Sequence, residues 1–236
     1  MVDQTPVANR SATTDGAAWR ERAVERSTRA ARQRAANRVQ QFLDAAREII
    51  VDNSSIDFTV QEVVDRSKQS LRSFYQYFDG KHELLLALFE EEVATVVERI
   101  EQETSEGTPL ERLEKSVLLL HELCAPGRTS VQPLFSEFAQ RLLVSHAGEV
   151  ATAYAPVVDH VASIVSEADD AGLTRGGRPR RLAMMVLQTA TITAWRSAGG
   201  KHPLTGREVW EFCLHAIAPD TVAAEHLSEN DVLNIG

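Results

Sequence analysis

Cysteine is nearly absent from this 236-residue chain: Cys124 and Cys213 allow at most one bridge, too few for a disulfide scaffold and compatible with a reducing cytoplasm. Long apolar runs are missing as well. A run such as Ser116 to Leu120 stops at His121 and Glu122, far short of the roughly 18 to 20 residues needed to cross a bilayer. The first thirty residues hold Arg10, Arg20, Arg22, Arg26 and Arg29 but no hydrophobic core of a secretory signal, so a cytoplasmic protein is expected. Only 12 glycines, 8 prolines and 6% aromatics leave little support for collagen-like or low-complexity architectures. There is no Gly-x-Ser-x-Gly elbow, no phosphate-cradling glycine loop and no His-Glu-x-x-His helix, so the familiar catalytic templates go unmatched and no enzyme is expected.

What the chain does have is an ordinary globular balance, 43% hydrophobic and 25% charged, with an uneven distribution of charge. The formal net charge is −9. Residues 1–82 nevertheless carry 13 basic and 11 acidic side chains, against 12 and 23 in residues 83–236. Within the first 38 residues the ratio is 8 to 4. A basic amino-terminal portion on an acidic body suits an asymmetric nucleic-acid binder, and solvated surface charge would give the same pattern.

Hydrophobic spacing gives helices throughout, with no strand-like alternation and no repeat. Residues 1–16 lack any apolar period and read as a disordered tail. From Ala17 the chain is rich in Ala, Arg and Glu, a polar helix that orders on a partner. Val39, Phe42, Leu43, Ala46, Ile49 and Ile50 then mark one face of a helix ending near Asp52. Thr59 and Glu62 form a capping box for a short helix at roughly 60–66, and Ser70 caps a third helix beginning at Leu71. Phe74 and Phe78 point inward, leaving Arg72, Ser73 and Gln76 facing elsewhere. Two short helices joined by about three residues beneath a longer one form a helix-turn-helix. Further helices are expected from Lys81 to about Glu103, from Pro109 to the Ala125-Pro126-Gly127 break, and over about 132–145. Three more follow at 149–171, 178–197 and 205–218.

The segment from Thr59 to Lys81, TVQEVVDRSKQSLRSFYQYFDGK, resembles the DNA-binding motif of the tetracycline-repressor (TetR) family of transcriptional regulators. The Thr-capped second helix, the spacing from Thr59 to Phe78, the cluster Phe74-Tyr75-x-Tyr77-Phe78 and the following Lys81 carry the likeness, which spans about residues 36–90. One departure is Lys68, where the family usually places glycine in the turn. The long Arg-rich extension is another.

The resemblance implies an all-α protein with an N-terminal three-helix helix-turn-helix DNA-binding domain (35–82) and a C-terminal helical ligand-binding and dimerisation domain (83–236), preceded by an Arg-rich extension (1–34). Carried over by position, Gln61, Leu71, Arg72, Ser73 and Tyr75 face the groove and contact bases, with Arg72 suited to a bidentate guanine contact. Thr59, Ser70, Tyr77 and Lys81 would grip phosphates. Arg20, Arg22, Arg26, Arg29, Arg32 and Arg34 form either a solvated arm or a DNA contact. The family also implies an effector cavity, for which Leu118, Phe135, Phe138, Leu142, Met184 and Trp195 are candidates, with core packing the competing role. Its partners would be an operator duplex, a small hydrophobic effector and a second copy of the chain. The dimer is expected through two long final helices, on stripes of Leu182, Met185, Val186, Thr189, Ile192 and Thr193 and of Val209, Phe212, Cys213, Ala216 and Ile217.

No cofactor and no metal site is expected: His121 and Cys124 share a helix face, but no third and fourth ligand follows at zinc-like spacing. The resulting reading is a ligand-responsive, sequence-specific repressor released from a palindromic operator by a hydrophobic small molecule. Its rivals are a nonspecific architectural protein coating DNA with the arginine arm, and an all-α enzyme using His121 or His146.

Overall fold

A computed structural model describes residues 12–125, 138–197 and 203–233, and among these every regular element is a helix. In chain order they are α1 (Ala12–Asn53), α2 (Val60–Ser67), α3 (Leu71–Phe74), α4 (Lys81–Glu103), α5 (Pro109–Cys124), α6 (Ala139–Ser145), α7 (Ala147–Asp170), α8 (Pro179–Ser197), α9 (Gly206–Ile217) and α10 (Asp220–Leu233).

One local device starts three of them. Thr59, Thr108 and Thr205 each accept a hydrogen bond from the backbone N–H three residues on, while Glu62, Glu111 and Glu208 accept one from the threonine's own N–H. Two orphan amides at each helix start are thereby satisfied. Backbone hydrogen bonds to the carboxylates hold all three glutamates below the usual carboxyl range.

The second half of α1, with α2 and α3, forms a small head. Phe42, Ala46, Ile50, Ile56, Val63, Phe74 and Phe78 make its core. Phe42 meets Phe74 edge-on at 5.4 Å and Phe78 at 6.2 Å, fixing the tilt of α3 under α1. The body is built on α5, α7 and α8, which pack on one another, while α4 leans on α7 and returns to α1. Its core continues from the head through Leu84, Leu88 and Phe89 to Val161, Ile164, Leu214 and Trp210. Arg47 of α1 reaches Glu91 at 2.6 Å and Glu92 at 2.8 Å on α4, joining head to body. Burial alone would lower the Arg47 guanidinium's pKa; the bonds to Glu92 and Glu91 outweigh it and hold it raised.

Several expectations need correction. Residues 12–16 are helical rather than tail, because α1 runs without interruption from Ala12 through the extension into the head. The Arg-rich extension and the first head helix are thus one element. Its first half buries little: Trp19 is 54% and Val24 66% exposed. The regular part of α3 is a single turn, after which hydrogen-bonded turns carry the chain to Phe78. The chain also does not end on α8 and α9. The unforeseen α10 docks on α9, burying His226 beside Trp210 and within 2.8 Å of Glu114 on α5. Finally, the two proposed dimer stripes divide. Val186, Val209, Cys213 and Ile217 are buried within the chain, whereas Met185, Ile192, Phe212 and Ala216 face outward.

Candidate nucleic-acid interface

The turn between α2 and α3 aims the exposed residues of α3. Lys68 adopts the left-handed conformation (φ 55°, ψ 31°), so this position keeps the geometry that glycine accepts more cheaply, and the turn is retained despite the side chain. The backbone N–H of Gln69 donates to the Val64 carbonyl, and its side chain donates to Gln41 Oε1 at 2.7 Å, tying the turn to α1. Ser70 then caps α3 by accepting from the Ser73 N–H at 3.1 Å.

Held in this way, Leu71 (43% exposed), Arg72 and Tyr75 (55% exposed) stand together on the outer face of α3. The Tyr75 ring is braced edge-on against Phe74 at 5.4 Å, leaving its hydroxyl end outward. Arg72 forms no ion pair among the described residues. Arg66, on α2, is engaged with Asp52 at 3.0 Å and Glu48 at 3.3 Å. Two arginines six residues apart thus have different tasks: one fastens α2 to α1 and the other keeps its five donors available. Gln61 on α2 is also exposed; it spends one amide hydrogen on Asp65 at 2.7 Å and retains the other and its oxygen.

The remaining expected contacts are less freely disposed. Ser73 turns inward: its Oγ is buried without a hydrogen-bond partner, because the α3 turn that exposes Arg72 rotates the next side chain away from that outer face. Thr59 Oγ1 donates to Glu62 at 2.8 Å, so its hydroxyl hydrogen is already used in the cap. Ser70 Oγ accepts within its cap and still has its own hydrogen to donate. Tyr77 is half-buried against the core. Lys81 Nζ lies 4.5 Å above the Phe58 ring, and burial lowers its pKa, with Asp57 opposing.

On the outer face of the arm, Arg20, Arg22, Arg26, Arg29, Arg32 and Arg34 are all exposed. Two of them fold back, Arg26 onto the Arg22 carbonyl and Arg34 onto the Ala30 carbonyl.

In the body, Phe138 and Leu142 are buried and Leu118 and Trp195 half-buried, whereas Met184 is 41% exposed on the surface of α8. Phe135 lies outside the described residues. The interior adds Phe89 and Tyr154, which sequence reasoning passed over, to the expected Phe138 and Trp195. Phe89 lies 5.4 Å from Tyr154 and 6.1 Å from Phe138. Tyr154 Oη, Trp210 Nε1 and His121 Nε2 are buried without hydrogen-bond partners. Trp195 turns its N–H toward the weak acceptor Cys124, whose thiol burial pushes up to about 12. Burial likewise raises the Tyr154 hydroxyl and lowers the His121 imidazole. A lone tyrosine in the otherwise small and apolar stretch of α7 is the signal that could have found this group.

Residues 42–88 match the family of bacterial regulatory proteins, tetR family. The chain is 27% identical over 175 residues to the fatty acid metabolism regulator protein of Bacillus subtilis, covering 70% of this chain and 86% of that protein. Among solved structures, a transcriptional regulator FadR from Bacillus subtilis in complex with stearoyl-CoA superposes with a TM-score of 0.60 at 22% identity, over 75% of this chain and 97% of that one. RolR in complex with resorcinol gives a TM-score of 0.65 at 13% identity, over 82% and 92%. These two likenesses speak for the fold.

Proposed function

We propose that this chain, whose residues 42–88 match the tetR family of bacterial regulatory proteins, is a homodimeric repressor that reads a palindromic operator through α3 and releases it on binding a long-chain acyl thioester. The observation that carries the DNA reading is the trio Leu71, Arg72 and Tyr75, exposed together on a helix whose cap, turn and aromatic underside are all fixed. A single turn of helix enters a major groove about 12 Å wide, and an unpaired guanidinium makes the bidentate guanine contact there. Gln61 joins the base contacts; Ser70, Tyr77 and Lys81 hold phosphates and set the register. Thr59 contributes through the cap that orients α2. The arm's arginines add backbone contacts, each neutralised phosphate steepening the salt dependence by about one unit.

The acyl class is supported by the relative that regulates fatty acid metabolism and by the interior of the body. Phe89, Phe138 and Leu142 offer apolar walls, and the orphaned Tyr154 hydroxyl supplies a donor for a thioester carbonyl. Outward-facing Met185, Ile192, Phe212 and Ala216 give α8 and α9 an apolar surface for a two-fold partner, and two-fold symmetry requires a palindromic site. A ligand that prefers the conformation with mismatched heads lowers operator affinity by its differential affinity for the two states.

The test is fluorescence anisotropy of the full chain on a duplex from upstream of its own gene, with stearoyl-CoA, free stearate or coenzyme A added. Release by stearoyl-CoA alone is the expected result. Operator binding unchanged by all three overturns the acyl reading and leaves the DNA reading standing; absence of any preferred duplex overturns both.

A further inference from the structure

His82 lies more than sixty residues before His146 and Glu149, which are three apart at the start of α7. The fold nevertheless brings one ligand atom from each within 4.8 Å of the other two. His82 sits in the first turn of α4, directly after Lys81. His146 occupies the break between α6 and α7, with φ −144° and ψ 51°, and its N–H donates to the Leu142 carbonyl at 2.6 Å. The Glu149 N–H donates to the His146 carbonyl at 3.0 Å, so these two are fixed to each other by the first turn of α7. Across the gap, the two imidazole rings stand 4.7 Å apart, tilted by 37°, and His82 Nε2 lies 3.1 Å from Glu149 Oε2. Phe138 backs the His82 ring at 5.8 Å.

We propose that His82, His146 and Glu149 form a binding site for a divalent transition-metal ion that bridges the first turn of α4 to the α6–α7 junction. Two imidazoles and one carboxylate suit zinc, cobalt or nickel and disfavour magnesium and calcium, which take all-oxygen shells. Tetrahedral zinc at 2.0–2.1 Å from its ligands places them about 3.3 Å apart, so atoms now within 4.8 Å of one another need to close by at most about 1.5 Å. The side chains have the freedom to do so, His82 being 49% and Glu149 39% exposed, and that exposure leaves water to complete the coordination shell. The site adjoins the interior group through Phe138, which packs on both His82 and Phe89, but uses none of its polar atoms. Its ion ties the helix that follows the DNA-reading head to the body, and so stiffens the joint between them. The reading stands independently of the acyl effector.

The test is isothermal titration of chelator-treated full-length protein with zinc chloride, and, in parallel, the visible absorption of the cobalt(II) form. One ion per chain is expected, with tetrahedral cobalt bands and a rise in Tm on adding zinc. His82→Ala and His146→Ala should each weaken binding by at least about 100-fold, the upper end of what outer-shell changes alone cost, and abolish the rise in Tm. Glu149→Gln, which keeps the helix start intact, should weaken it by about tenfold or more. His215→Ala, at an exposed histidine on α9, should leave binding unchanged. No saturable binding, the cobalt spectrum of the aqueous ion, or wild-type affinity in the His82→Ala/His146→Ala double variant overturns the site.

Discussion

The head and the body of this protein are stabilised by the same helical chemistry but leave different things unsatisfied. In the head, most polar groups are spoken for, Arg66 by Asp52 and Glu48, Gln69 by Gln41, Thr59 by Glu62; apart from the buried Ser73 hydroxyl, what stays open is a charged guanidinium facing outward. In the body the open groups face inward, Tyr154 Oη, Trp210 Nε1 and His121 Nε2 among apolar side chains. An unpaired donor on the surface costs nothing until a partner arrives, whereas a buried one carries a desolvation penalty that a ligand can relieve. The contrast separates a region whose open cation faces solvent from one whose open polar atoms lie among apolar side chains.

The sharpest way to break the head is from beneath. Phe74 is fully buried between Phe42 and Phe78, so Phe74→Ala should cost about 3–5 kcal/mol in denaturant unfolding and abolish DNA binding through loss of the head. A body that retains its helical circular dichroism while the head melts would sharpen the comparison; a stability unchanged within error would break it. Next comes the connection between the two. Arg47, whose side chain is 29% exposed, should cost about 1–2 kcal/mol as Arg47→Ala, more than a surface pair, because Glu91 and Glu92 then lose their shared cation.

Smaller still is the cap of α5. Thr108→Ala should cost about 1 kcal/mol by thermal or denaturant unfolding. The three capping glutamates also set the pH response. Their folded pKa values lie below the unfolded ones, so their contribution is complete above the ordinary carboxyl range and disappears as pH falls through the depressed values. Tm should therefore fall below about pH 4.5 by way of these groups, and less steeply in Thr108→Ala. The smallest expectation is an absence of reaction. With burial pushing Cys124 up to about 12 and Cys213 up to about 11, neither thiol should be alkylated by iodoacetamide at pH 8 until the protein unfolds, as counted by mass spectrometry.

Legibility followed the range of the interactions. The head could be read because its determinants are local: a capping box within four residues, a turn, and aromatic spacing on one helix. Even there, Ser73 escaped, since the inward rotation of its hydroxyl depends on how tightly the α3 turn closes beneath α1. In the body the boundaries of α4 and α5 follow from Lys81, Pro109 and Thr108, yet α10 was missed because its apolar positions Ala223, His226 and Leu227 are few and one is a histidine, buried by a partner on α5. Met184 and Met185 look alike in sequence with the buried Val186, and only the packing of α8 on α5 and α7 decides which of the three turns inward. The His82, His146 and Glu149 cluster has no sequence signature, since the break between α6 and α7 brings it together.

The most direct test of the account compares Arg72→Ala with Arg66→Ala on the duplex from upstream of the protein's own gene, against random competitor DNA at moderate ionic strength. Arg72→Ala should lose about 1–3 kcal/mol of discrimination at unchanged Tm, while Arg66→Ala should lower Tm slightly and keep its discrimination. Full preference for the upstream duplex in Arg72→Ala would contradict the assignment of α3 as the reading helix.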